Sequence, residues 1–303
     1  MLEQKKPDWF KIRRLAVGER ASEVMGTVAA HGLHTVCTSA ACPNKGACFA
    51  EGTATFMILG DVCTRACRFC AITTGRPLPP DPGEPARVAE AARIMGLSFV
   101  VVTSVARDDL PDEGAGAFAA TIGALRAALP GARVEVLTPD FGGRRDCLAT
   151  VLGAGPDVFN HNVETVERLT PSVRAKALYR RSLEVLAASK ILAPSIPTKS
   201  GLMVGLGERD EELDAAFADL AEAGVSRLTI GQYLQPTRRH HPVVRYYAPG
   251  EFEDLKRRAK AAGIGAVLSG PLVRSSYHAG AMGEAERAGE APPSGSDGAP
   301  TPG

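Results

Sequence analysis

Six of the seven cysteines in this chain fall between residues 37 and 70, in two groups of three. Cys63, Cys67 and Cys70 have the spacing C-x3-C-x2-C and follow directly on an apolar run, Ala54 to Leu59, that ends in Gly60. Cys37, Cys42 and Cys48 have the spacing C-x4-C-x5-C, in a loop that also carries Pro43, Asn44 and Gly46. Three thiolates on one tight loop cannot complete a tetrahedral zinc site, nor ligate every iron of a four-iron cluster. They can hold a [4Fe–4S] cluster by three corners and leave the fourth iron open to another ligand. A zinc site completed by a distant residue is the alternative for each group. Two triplets 14 residues apart imply two centres rather than one.

A strand that runs straight into C-x3-C-x2-C and is followed by βα units resembles the radical S-adenosylmethionine (SAM) superfamily. The resemblance narrows to the lipoyl synthase family when both cysteine groups are taken with the segments that follow. These are GTATFMILG at 52–60, VVTSVARDDL at 101–110, PDVFNHNVET at 156–165, PTKSGLMVGLGE at 197–208, GQYLQPTRRHHPV at 231–243 and GPLVRSSYHAG at 270–280. It covers roughly residues 7–280.

The family implies two [4Fe–4S] clusters and SAM. Cys63, Cys67 and Cys70 would carry the cluster whose open iron is chelated by the amino and carboxylate groups of SAM. Cys37, Cys42 and Cys48 would carry an auxiliary cluster, with Ser276 of the RSSY segment as its fourth ligand and Ser275 as the nearest rival. An alkoxide is a harder ligand than a thiolate and can be released by protonation, which suits a cluster that is to be dismantled. Arg274 would either steady the charge of that site or pair with a surface carboxylate.

The reaction implied is radical-mediated insertion of two sulfur atoms, at C6 and C8 of an octanoyl chain amide-linked to a lysine of a carrier protein. Unactivated C–H bonds are closed to acid–base chemistry, which is why a radical and a dry channel are needed. An octanoylated lipoyl carrier domain and an electron donor are the partners expected. A biotin-synthase-like sulfur-inserting enzyme, or a non-enzymatic iron–sulfur or zinc protein, is the alternative.

Other polar groups sit where such a cosubstrate would lie. Asn160, His161, Asn162 and Glu164 close one strand; Asn162, Glu164 and Lys199 are the candidates to bind SAM. In the loop Asp109 to Gly116 the family usually has Asp-Gly-Gly, and this chain has Asp112-Glu113-Gly114. Gly205 and Gly207 would allow close backbone approach to the cosubstrate, or simply form a turn. Arg238, Arg239, His240 and His241 form a basic cluster suited to docking an acidic carrier, or a solvated loop. Cys147 stands alone and reads as a small core residue.

These residues need a scaffold. The remaining chain alternates β-branched runs with helical periods: strands over 99–103, 134–137, 157–161, 200–204, 227–233 and 264–268, helices over 115–129, 147–152, 182–192, 210–223 and 252–262. This predicts an α/β fold, a partial (βα)6 TIM-type barrel with an N-terminal cluster-binding extension, and a site at the C-terminal strand ends. The expected divisions are an extension over 1–52, the barrel over 53–270, a ligand segment over 271–280 and a disordered tail over 281–303. The tail is Ala, Gly, Pro, Ser and Glu with no large apolar residue. In the extension, Glu19 to His31 has helical spacing, and Trp9 with Phe10 should anchor the chain start on the main body.

The balance of 35 basic to 34 acidic residues gives no general grip on nucleic acid or membrane. No apolar run is long enough to span a bilayer, and the first residues lack a signal core, so a cytoplasmic location is expected. Without export, crowded cysteines read as metal ligands rather than disulfides.

Overall fold

The computed structural model describes residues 6–10, 19–39, 44, 48, 54–277, 279 and 280. The expected ligand Cys42 and the expected tail 281–303 lie outside the described residues.

Seven parallel strands form the scaffold: β2 (Ala54–Ile58), β5 (Phe99–Ser104), β6 (Arg133–Leu137), β7 (Val158–Asn160), β8 (Thr198–Val204), β9 (Arg227–Gln232) and β10 (Ala266–Gly270). They pair in chain order, and β1 (His34–Thr35) adds an antiparallel strand on the outer edge of β2. The sheet is therefore open, a barrel that does not close between β2 and β10. Between β2 and β5 lie two short strands, β3 (Val62–Cys63) and β4 (Thr73–Thr74), paired only with each other.

Helices fill the crossovers. They are α3 (Glu84–Ile94), α4 (Ala115–Ala128), α5 (Arg145–Gly153), α6 (Thr170–Val173) with α7 (Tyr179–Leu192), α8 (Asp210–Glu222) and α9 (Pro249–Ala261). Ahead of the barrel stand α1 (Glu19–Ala30) and the short α2 (Val36–Ser39). The sequence reading lacked α3. Its one large buried apolar side chain is Val88; Ala89, Ala91 and Ala92 fill the rest of the buried face, and Ile94 is exposed.

Side chains alternate across each strand. Val100, Val102, Val134, Val136 and Phe159 pack with Phe118, Ile122 and Leu125 of α4. Leu202, Val204, Leu228, Ile230 and Val267 form a second core with α8 and α9 residues such as Phe217 and Leu255. The opposite face carries Thr55, Thr103, Glu135, Asn160, Lys199 and Thr229, all buried. A buried polar face is what a barrel lumen built to hold polar groups requires; a purely structural core would be apolar there.

The chain start and the RSSY segment both return to this body. Trp9 Nε1 donates to the Tyr247 carbonyl at 3.3 Å, and the fully buried Phe10 ring lies 5.3 Å from Tyr246. Val273 and Tyr277 pack on Ala266 and Leu268, and Ala279 on Phe99 and Val101. Val273, Tyr277 and Ala279 thus lie against the lumen face of the sheet. Gly231 makes this possible: a Cβ there would stand 2.1 Å from the Val273 carbonyl oxygen.

Candidate metal centres

The cysteine loop begins where β2 must stop. Leu59 and Gly60 both take left-handed backbone angles (φ 68° and 86°), which ends the strand, and the Leu59 N–H donates to Glu84 Oε2 at 2.7 Å. The β3–β4 pairing and a Gly75 N–H to Cys63 carbonyl bond (3.0 Å) then tie off the loop that carries Cys63, Cys67 and Cys70.

Three neighbouring strand-end loops hold it. After β5, the Ala106 carbonyl accepts from the Thr64 N–H at 3.1 Å. After β7, the Val173 carbonyl accepts from the Arg68 N–H at 2.8 Å. After β9, the His241 N–H donates to the Arg68 carbonyl at 2.8 Å, and His240 Nε2 lies 3.0 Å from the Cys70 carbonyl. The histidines of the basic cluster are thus fastened to the cysteine loop, while Arg238 and Arg239 are exposed. Nothing in sequence spacing links residue 70 to residue 240.

Burial pushes the Cys67 and Cys70 thiols up, Cys70 to about 11; the Arg174 guanidinium pulls Cys67 partly back. Thiols must be deprotonated to bind metal, so loading this site releases protons. Among the described residues no three His, Cys, Asp or Glu side chains converge as a single metal ion needs. Three thiols on one loop fit a cluster whose ligands attach to different irons and whose fourth iron stays open.

Beside this loop stand two of the expected SAM residues. Asn162 Nδ2 donates to Glu164 Oε1 at 3.0 Å, and Asn162 Oδ1 is buried with no hydrogen-bond partner among the described residues. An orphaned buried acceptor is costly and suits a ligand that brings a donor. Glu164 sits at φ 65°, near enough to Cys67 and Cys70 to raise their thiols, and burial raises its own carboxyl against the pull of Arg174. Arg174 is fixed by Val163 O and Ser182 Oγ, both at 3.0 Å. Lys199 is elsewhere: its ammonium meets both oxygens of Glu135, at 2.9 and 3.1 Å, deep in the lumen.

The acidic loop after β5 is mostly spent on structure. Asp109 pairs with Arg107 at 2.8 Å, and Asp112 accepts from the Gly114 and Gly116 N–H groups at the start of α4. Glu113 takes a positive φ of 50°, the conformation that glycine accepts without strain. Gly205 approaches protein, not ligand space: a Cβ there would stand 2.0 Å from Gln232 Nε2. Cys147 is buried, its Sγ 3.4 Å from the Asp112 carbonyl.

Two cysteines of the second triplet, Cys37 and Cys48, face another cavity. Cys37, Asn44, Cys48, Thr55, Arg274, Ser276 and Tyr277 line it together. Asn44 Nδ2 donates to the Leu272 carbonyl at 2.7 Å, stitching the cysteine segment to the segment before RSSY. Two thiols and a hydroxyl beside a guanidinium form a donor set for an anionic iron–sulfur centre. Ser276 lines the cavity; Ser275 is not among its lining residues.

The radical SAM superfamily model matches residues 57–220. The chain is 56% identical to the lipoyl synthase of Rubrobacter xylanophilus, over 94% of this chain and 88% of that one. It is 54% identical to that of Methylococcus capsulatus (91% and 85% covered) and 55% identical to that of Geobacillus thermodenitrificans (91% and 92%). The chain belongs to the lipoyl synthase family. Lipoyl synthases are radical SAM enzymes, and this one works with SAM and [4Fe–4S] clusters. Two solved structures share the fold at low identity: HydG, a maturase of the [FeFe]-hydrogenase (TM-score 0.55, 12% identity, 82% of this chain and 62% of that one), and methylornithine synthase, PylB (0.50, 13%, 79% and 82%). The lipoyl synthase chain described here is thus the partial barrel expected of it, and no helix among its described residues is long and apolar enough to cross a membrane.

Proposed function

We propose that this chain inserts sulfur at C6 and C8 of an octanoyl group carried on a protein lysine, using Cys63, Cys67 and Cys70 for one cluster and Cys37, Cys42, Cys48 and Ser276 for the other. When bound, the first cluster with SAM supplies a strong hydrogen-abstracting radical and the second supplies the sulfur.

The chain's own residues prepare these events. Asn162 offers a buried acceptor and Glu164 a carboxylate to SAM beside the cysteine loop. Lys199 serves here as the counter-ion of Glu135, which keeps the lumen charge balanced. Ser276 Oγ gives up its proton to ligate and takes one to leave, and Arg274 in the same cavity favours the anionic form. Val273 and Ala279, each 1% exposed, seal the lumen against water. Exposed Arg68, Arg238 and Arg239, near the cysteine loop, give an acidic carrier domain a steering surface and place its lysine arm at the mouth. A cytoplasmic setting with an electron donor completes the proposal.

One observation supports this reading above others: Cys37, Cys48 and Ser276, from opposite ends of the sequence, face one cavity. The test is anaerobic turnover of an octanoylated carrier peptide, read by mass spectrometry. Wild type should add two sulfurs. Ser276→Ala should still cleave SAM while sulfur insertion fails; wild-type yield of the lipoyl product from that variant removes Ser276 from the ligand set.

A further inference from the structure

The cysteine loop carries a buried arginine that the reaction does not call for. Arg65, two residues after Cys63, has a side chain 8% exposed. Its guanidinium hydrogen-bonds two carboxylates from two different loops, with Glu113 Oε2 a third at 3.8 Å. Toward Asp108, after β5, Nε donates at 2.9 and 3.1 Å and Nη2 at 2.6 Å. Toward Asp140, after β6, Nη2 donates at 2.7 Å, and the Asp140 side chain is fully buried.

Thr64 completes the fastening. Its hydroxyl donates to Asp108 Oδ2 at 2.7 Å, lies 3.0 Å from the Ala106 carbonyl, and accepts from the Asp108 N–H at 3.1 Å. Residues 64–65 and 106–108 are thereby locked side by side. What this lock aims is visible at one atom: Cys63 Sγ accepts from the Arg65 N–H at 3.4 Å and from the Ala106 N–H at 3.3 Å. The other two sulfurs are served differently. Cys70 takes one backbone hydrogen bond, from Ile72, and Cys67 Sγ lies 4.0 Å from the Ala175 carbonyl.

Hydrogen bonds to a ligand sulfur favour the state with more negative charge on the cluster, the reduced one, and so raise its potential. Partners one step behind the ligands commonly fix such bonds. We infer that Arg65, clamped between Asp108 and Asp140, is a positioning residue that aims two peptide N–H groups at Cys63 and so sets the potential of the cluster bound there. The guanidinium bonds carboxylates, not the sulfur, and acts through the backbone it holds. The inference rests on Cys63, Cys67 and Cys70 being ligands of one cluster.

A test must loosen the lock without changing charge, because deleting a carboxylate would move the potential by itself. Arg65→Lys keeps the cation but loses the planar fork that spans two carboxylates. Thr64→Val removes the hydroxyl bonds and is neutral. The full chain is reconstituted anaerobically and titrated by EPR. The titration is repeated in the chain carrying Cys37→Ala, Cys42→Ala and Cys48→Ala, so that a single cluster is read. Arg65→Lys should shift the reduction equilibrium about tenfold toward the oxidised form, about 59 mV for one electron. Thr64→Val should shift it the same way by less. Arg180→Lys, a distant exposed ion-pair residue, should leave it alone. Wild-type midpoints in both variants at full iron loading overturn the inference. So does loss of the cluster in both, which would assign the lock to holding the loop and nothing more. A parent protein that takes up no four-iron cluster at all overturns the ligand reading itself, and the inference with it.

Discussion

Lys199 and Glu135 are each 1% exposed and joined at 2.9 Å in the lumen. Lys199→Met would leave the Glu135 carboxylate buried, with only the Asn160 Nδ2 bond at 3.1 Å to hold it. Removing one partner of a buried pair costs about 3–5 kcal/mol, because the survivor cannot regain water. At roughly 2–4 °C per kcal/mol for large domains, the melting midpoint should fall by about 10 °C. The double variant Lys199→Met, Glu135→Gln removes both charges and keeps an acceptor for Asn160. It should recover to within about 1 kcal/mol of wild type, since a buried ion pair barely outweighs its own desolvation. Thermal midpoints of wild type, both singles and the double close the cycle. The double should also bind SAM as wild type does in equilibrium dialysis, because the ammonium is occupied by Glu135. A single variant within about 1 kcal/mol of wild type, or a double no better than the Lys199→Met single, would refute the reasoning. Lost SAM binding in the stable double would return Lys199 to the cosubstrate.

Gly231→Ala should push the Val273 carbonyl away and displace Ser276 from its cavity; iron content should fall toward that of one four-iron cluster, read by iron and sulfide assay. His161, bonded to Thr138 O and Ser182 Oγ, is held by burial with a pKa of about 4 against an ordinary 6.5. The unfolded chain therefore binds more protons between those values, so stability falls as pH drops from about 6.5 to about 4, by about 3 kcal/mol in all. His161→Gln should flatten that slope in urea midpoints of the cluster-free chain. Glu113→Gly relieves a positive φ at a position where the family usually has glycine, and should raise the melting midpoint slightly or leave it level, a drop of several degrees being the contrary result.

The strands were legible because parallel strands buried on both faces read as continuous β-branched runs, as Phe99–Ser104 does. Helix α3 was not, because alanines bury a face without marking a period. Both cysteine triplets stood out by spacing. Their surroundings did not: Arg65 meets Asp140 across 75 positions, and His240 meets Cys70 across 170, separations no local pattern encodes. Lys199 was visible as a lysine on a strand, but its partner Glu135 lies two strands away.

The hydrogen bond from Asn44 to the Leu272 carbonyl spans 228 positions. On a ribosome adding about 5–20 residues per second, roughly 10–50 s separate the making of its two halves. For that time Cys37 and Cys48 exist without Arg274 or Ser276 across from them. Iron delivered to the nascent chain would meet a half-walled cavity, so a centre built on the ligand set proposed above would wait until the chain has been made past residue 276.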